Sequence, residues 1–332
     1  MTVREILFKL KVFWKTASSR LFFLNFKDKK LIYTYITIAL FLLILPVSRA
    51  DFYRSFDQKS AILRSPLRDY QPPSSLIVSR QEPFPAITAR GLYIYEQNSQ
   101  TLLFEQNSRQ QFYPASTTKI ATALVALEQY KPDQVLTIPN FPKEGQVVGL
   151  EGGEQYYFKD LLYGLLVQSG NDAALAMAYT YPGGLDSFVS QMNQLVADLS
   201  LTNTHFTNPT GIDNWQHYST PHDLAILAQK AMTKEELRQA VATKDYQITD
   251  LTGQHKIKLE NLNLLLGQVD GLQGIKTGWT ELAGECLIGL VKRGDWQVLT
   301  VVLNSHDRFG DTAKIIKWVF DNFQANSNPG IQ

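Results

Sequence analysis

Strand-like apolar segments bracket a long stretch of helical periodicity in this chain, and few folds accommodate that order. Residues 89–96 and 101–106 alternate as strands do, and the polar tetrapeptide Gln97-Asn98-Ser99-Gln100 between them predicts a hairpin. After Pro114 the apolar spacing lengthens to three and four, putting Ile120, Ala123, Leu124 and Leu127 on one stripe. Further helices are predicted over 160–167, with Asp160 as cap, over 172–179, over 187–199, and from Thr220-Pro221 to about Lys230. Strand patterns return at 274–280, 286–291 and 296–303, and residues 311–320 close with an amphipathic helix. The expectation is an α+β domain over 86–322, an antiparallel sheet flanked by helices with a helical lobe inserted. A composition of 44% hydrophobic and 19% charged residues supplies such a domain with a core and excludes a disordered chain.

The front of the chain has a different character. Residues 1–30 hold eight Lys/Arg against two acids, whereas the remainder carries 24 basic and 29 acidic residues. A slightly acidic body without a basic run argues against nucleic acid as a partner. Residues 31–48 (LIYTYITIALFLLILPVS) contain no charge, and as a helix they extend about 27 Å, near the ~30 Å hydrocarbon core. With the basic block ahead of it, this segment reads as one N-terminal transmembrane helix. Residues 1–30 then stay cytoplasmic, and everything past about residue 50 is translocated. The long basic lead favours a retained signal-anchor, although Ser48-Arg49-Ala50 has the form of a cleavage site. Residues 51–85, polar and punctuated by proline, read as an extracytoplasmic stem, and 323–332 as a short tail. The expected location is the cell membrane, with the folded domain outside. A single cysteine, Cys286, forbids an intrachain disulfide and reads as a small buried hydrophobe. The five histidines form neither HExxH nor a Cys/His cluster, so no metal and no cofactor are expected.

Three short motifs occur once each and in order: Ser116-Thr117-Thr118-Lys119, Ser169-Gly170-Asn171 and Lys276-Thr277-Gly278. Each alone has an ordinary reading, as a helix cap, a turn and a solvated strand lysine. Together they supply the parts of a nucleophilic site. A serine hydroxyl needs a base to become a nucleophile. Lysine three residues on lies one helical turn away on the same face. Its ordinary pKa near 10.4 forbids that role at pH 7 unless burial and a second cation, here Lys276, push it down. Ser116 opens a helix, where free N–H groups favour an oxyanion. Thr277 and Lys276 offer a hydroxyl and a charge to a substrate carboxylate, and Gly278 leaves the strand open to an extended peptide.

These motifs, with PASTTKIATALVALE, LLYGLLVQSGNDAALAMA, FTNPTGIDNWQHYSTPHDLA and GIKTGWTELAGECL around them, resemble the serine D-Ala-D-Ala carboxypeptidases, the low-molecular-mass penicillin-binding proteins. The resemblance covers about residues 87–322 and implies a β-lactamase/transpeptidase-like fold. It implies peptidoglycan stem peptides as substrate and β-lactam antibiotics as inhibitors. It makes Ser116 the acylated nucleophile and Lys119 its base. Ser169 and Asn171 then relay protons and hold the substrate amide, Lys276 and Thr277 take the terminal carboxylate, and the N–H groups of Ser116 and Trp279 form the oxyanion hole. Trp279 either lines the cleft or packs. His205, His222, Asp213 and Asp223 read as local supports.

Other readings stay open. A wall endopeptidase shares the constellation. A class A β-lactamase needs a glutamate between the second and third motifs, and residues 198–229 contain none. A non-catalytic wall binder would need no nucleophile with an adjacent base.

Overall fold

The computed structural model describes residues 77–78 and 82–324. The chain opens with β1 (Ile77–Val78), β2 (Gly91–Glu96) and β3 (Thr101–Gln106), then a 3-10 turn (Ala115–Thr118) running into α1 (Lys119–Gln129). The middle comprises β4 (Val135–Thr137), β5 (Gln155–Tyr157), α2 (Phe158–Leu166), α3 (Asn171–Thr180), α4 (Gly184–Asp198), α5 (Pro221–Met232) and α6 (Glu235–Ala242). The hairpin β6 (Asp245–Thr249) and β7 (Lys256–Glu260) follows. The chain then returns through β8 (Leu272–Thr280), β9 (Gly284–Arg293) and β10 (Trp296–Ser305) to α7 (Arg308–Asn322) and β11 (Phe323–Gln324). Five strands form an antiparallel sheet in the order β3-β2-β10-β9-β8, so the helical middle is an excursion between β3 and β8.

Both faces of this sheet are covered, and β10 shows why its sequence is a continuous apolar run rather than an alternation. Val298 and Val302 pack with Ile315 and Val319 of α7 on one face. Leu299, Val301 and Leu303 join the helical lobe on the other. Each such side chain contributes about 1.5–3 kcal/mol on burial. At the centre of the lobe, residues 119–126 of α1 are all buried, as a helix apolar on every side requires. Thr220 caps α5 as expected, its hydroxyl accepting from the Asp223 N–H at 3.1 Å, with Pro221 in the first turn.

Three expectations need correction. Asp160 does not cap α2, which starts two residues earlier; its carboxylate lies in the first turn and accepts from the Tyr246 hydroxyl at 3.1 Å. The stem and the tail are not wholly outside the folded unit, because β1 and β11 pair antiparallel. The Glu82 N–H also donates to Asn322 Oδ1 at 2.8 Å, the Trp318 indole donates to the Glu82 carbonyl at 3.0 Å, and Phe84 stacks on Phe104. Aromatic packing thus extends the unit past both edges of 86–322. Finally, α6 and the β6–β7 hairpin form without having been expected, each carrying only a few buried residues. The proposed transmembrane segment 31–48 lies outside the described residues. Among the described residues, no helix is long and apolar enough to cross a membrane.

Asp311 welds the start of β2 to α7. Its buried carboxylate accepts from the Thr88 and Ala89 N–H groups and from the hydroxyls of Thr88 and Ser305, at 2.7–3.1 Å. Asp311→Ala leaves several buried donors unpaired and is expected to cost about 3 kcal/mol in urea denaturation. A loss below about 1 kcal/mol would remove this carboxylate from the determinants of the fold.

Candidate active site

The turn that carries Ser116 is held in a backbone conformation that few residues adopt unaided. Ala115, just before Ser116, has φ +47°, and Ser169 has φ +62°. Both lie in the left-handed region, which costs a non-glycine residue about 1 kcal/mol or more and persists only where the surroundings impose it. Gly211 supplies part of that surrounding. A Cβ there would sit 1.9 Å from the Ala115 carbonyl oxygen, so only glycine lets this loop close over the turn. Gly278 closes from the other side, its missing Cβ position lying 3.0 Å from the Ser116 nitrogen. Gly278 therefore makes room for the serine turn, beyond leaving β8 uncrowded for a peptide. β8 is an edge strand of the sheet, so an extended chain can add to its free side.

Lys119 is fully buried, and its Nζ lies 2.9 Å from Ser116 Oγ, 2.7 Å from Asn171 Oδ1 and 2.8 Å from the Thr210 carbonyl. Burial above all, and then the nearby Lys276, push its pKa well below the ordinary lysine range; Asp172 opposes them. A neutral amine has two N–H bonds and one lone pair. The two carbonyl oxygens, which can only accept, take the two hydrogens, and the lone pair is left for the Ser116 hydroxyl. Asn171 is fixed in turn, its Nδ2 donating to the Glu144 carbonyl at 2.7 Å. Asp172, beside it, accepts from the N–H groups of Val148, Gly149 and Leu150 and holds the loop that forms one wall.

A cleft of about 610 Å³ brings together Ser116, Ser169, Asn171, Thr277, Gly278 and Trp279. Trp279 is 59% exposed and lines the cleft rather than packing inside. Lys119 and Lys276 lie behind its surface. The Lys276 Nζ is buried and donates to the Thr277 carbonyl at 3.0 Å. Burial, with Arg308 nearby, pushes the Lys276 pKa down to about 7. The cation that lines the cleft is Arg308, which the sequence reading missed. Its Nη1 donates to the Gly278 carbonyl at 3.0 Å, and its backbone N–H donates to Glu285. No local pattern marks it, since it lies 32 residues beyond Lys276 and opens a helix expected to start three residues later. The other expected supports are placed as such: Asp213 accepts from Thr280, Asp223 from Thr204, His205 bonds the Gln216 carbonyl and His222 bonds Asp223. Cys286 is fully buried, which pushes its thiol up to about 12.

A family model described as D-alanyl-D-alanine carboxypeptidase matches residues 77–307. The chain belongs to the D-alanyl-D-alanine carboxypeptidase family. The match starts at β1, in keeping with the extended boundary of the folded unit. Within this family, D-alanyl-D-alanine carboxypeptidase DacF of Bacillus subtilis is 32% identical over 248 residues, 72% of this chain and 64% of its own length. The chain thus spans just under two thirds of that relative. A D-alanyl-D-alanine carboxypeptidase of Streptomyces sp. strain K15 is 33% identical over 71% of this chain and 88% of its own length. The crystal structure of the Streptomyces K15 DD-transpeptidase superposes with a TM-score of 0.67 at 33% identity, covering 72% of this chain and 99% of that one.

A second support, His217, also went unrecognised in the sequence. Its buried Nδ1 accepts from the Thr207 N–H at 3.0 Å, so the proton sits on Nε2, which faces Thr118 Oγ1 at 2.9 Å. The ring thereby ties the middle of the first motif to the 207–211 loop. Burial, and then His205, push its pKa down to about 3. The unfolded state therefore binds more protons than the folded one between about pH 6.5 and 3, and stability present above 6.5 is lost as pH falls. The stability difference between the parent and His217→Gln is expected to shrink as urea titrations move from pH 7 to pH 4. A constant difference across that range would show that His217 does not titrate on unfolding.

Proposed function

We propose that this chain is a serine D-Ala-D-Ala carboxypeptidase that removes the terminal D-alanine from peptidoglycan stem peptides through an acyl-enzyme on Ser116. The observation that carries it is the buried Lys119 amine, its Nζ 2.9 Å from Ser116 Oγ and its basicity lowered by burial and by Lys276. In acylation, Lys119 takes the Ser116 proton as Oγ attacks the penultimate carbonyl carbon. The N–H groups of Ser116 and Trp279 receive the oxyanion. The scissile C–N bond breaks as the proton passes through Ser169 to the leaving nitrogen, releasing D-alanine. Water then attacks the ester, giving a proton to Lys119, and Ser116 regains its own. Thr277 takes the terminal carboxylate, with Arg308 and Lys276 supplying positive charge, and Asn171 holds the substrate amide. A β-lactam, whose strained amide occupies the same position, acylates the same serine.

Labelled penicillin is expected to attach stoichiometrically at Ser116 and not to Ser116→Ala. Lys119→Ala is expected to stay folded and to lose about a thousandfold or more in kcat on a D-Ala-D-Ala pentapeptide. Near-normal turnover of that variant would refute the base assignment. A folded protein that takes no label would be a binder. Rapid release of hydrolysed antibiotic would make it a β-lactamase.

We further propose, from the charge-free segment 31–48 and its basic flank, that the chain is anchored in the cell membrane with the catalytic domain on the extracytoplasmic side. Full-length chain is expected to sediment with membranes through alkaline carbonate washing, and a chain lacking residues 1–50 to remain soluble. Recovery of the intact chain in the soluble fraction would overturn the anchor.

A further inference from the structure

At the end of β8 away from the cleft lies a second concavity, of about 600 Å³. Its surroundings are formed by the amide side chains of Gln97, Gln273 and Gln297, the ring of Tyr95 and the cations Arg238 and Lys292, with no carboxylate among its lining residues. Glu235 pairs with Arg238 at the edge, and the Arg238 Nη1 donates to the Met232 carbonyl. The Arg238 charge is met by that carboxylate, and Lys292 brings a further positive charge to the lining. Gln97, at the edge of β2, turns its Nε2 inward, where it is buried and without a hydrogen-bond partner among the described residues.

We propose that this hollow binds a glycan strand of acetamido sugars with acidic substituents, the polymer on which the stem peptide of the preceding reading is carried. It rests on that reading only for the identity of the polymer. Acetamido carbonyls and ring hydroxyls suit the five glutamine side chains of the lining, whose amides both donate and accept. The half-buried Tyr95 offers an aromatic face or edge to the apolar side of a sugar ring. A carboxylate on the strand suits Lys292. Gln273 stands three residues before Lys276, about 10 Å along the strand at ~3.3 Å per residue. Polymer lying in the hollow is therefore bound close to the peptide-cleaving end of the same strand. A short soluble peptide in the cleft does not reach it.

The test is calorimetric titration of the full chain with peptide-free wall glycan strands, followed by kinetics. The parent is expected to bind, and Gln273→Trp and Lys292→Glu to weaken binding about tenfold, equivalent to about 1.4 kcal/mol. The same variants are expected to lower kcat/KM on intact wall polymer about tenfold and to leave it unchanged on a soluble D-Ala-D-Ala peptide. Absence of binding by folded parent, or equal binding by both variants, overturns the proposal. Equal competition by inorganic polyphosphate also overturns it, by showing a hollow that reads charge alone. Glycan binding without penicillin labelling would sink the catalytic reading and leave this one standing, and labelling without glycan binding would do the reverse.

Discussion

Three segments far apart in the chain meet at one amine. Lys119 bonds its own helical turn through Ser116, the second motif through Asn171, and the 207–211 loop through the Thr210 carbonyl. Removing a charged ammonium from water is costly, and burial accordingly pushes the Lys119 pKa well below the ordinary lysine range. The hydrogen bonds that make this burial tolerable also hold the amine 2.9 Å from the serine oxygen, as the proposed base role requires. Structural and chemical demands coincide at this atom, and the surrounding elements are arranged to meet them. Gly211 and Gly278 admit the two neighbouring backbones, Asp172 fixes the wall, and His217 anchors the turn from behind.

The sheet contributes rigidity and a direction. Covered by α7 on one face and by the lobe on the other, it presents β8 as an edge whose free side is bordered by the serine turn. A substrate that pairs with this edge has its carbonyl carried past Ser116 by the strand's own repeat. Loop residues complete the cleft, but strands and helices set the distances between its reacting groups.

Legibility in the sequence followed the range over which each determinant acts. The hairpin at 91–106, the capped α5 and the strands β8 to β10 were readable because alternation, Thr220-Pro221 and the turn at 292–295 are local signals. Ser116 and Lys119 were readable because one helical turn joins them, and Asn171 and Lys276 entered through the ordered motif set. Arg308, Thr210 and His217 were not readable. Each acts through tertiary contacts, one as a backbone carbonyl, and none stands at a telling interval from the motifs. Asp160 misled because an acid near a helix start serves the first turn as well as the cap. The β6–β7 hairpin was missed although Ile257 and Leu259 alternate with Lys256, Lys258 and Glu260 as a half-buried strand does.

The pairing of β1 with β11 places the entry and the exit of the folded unit side by side, where α7 ends. That helix begins at the cleft with Arg308 and runs 15 residues, roughly 22 Å at 1.5 Å per residue. Any load applied through the leading segment is thus received by a two-stranded clasp at one end of a stiff rod, with the reactive mouth at the other. If the chain is held through that segment, as proposed, the pull is received at β1 and β11, a helix length away from Ser116.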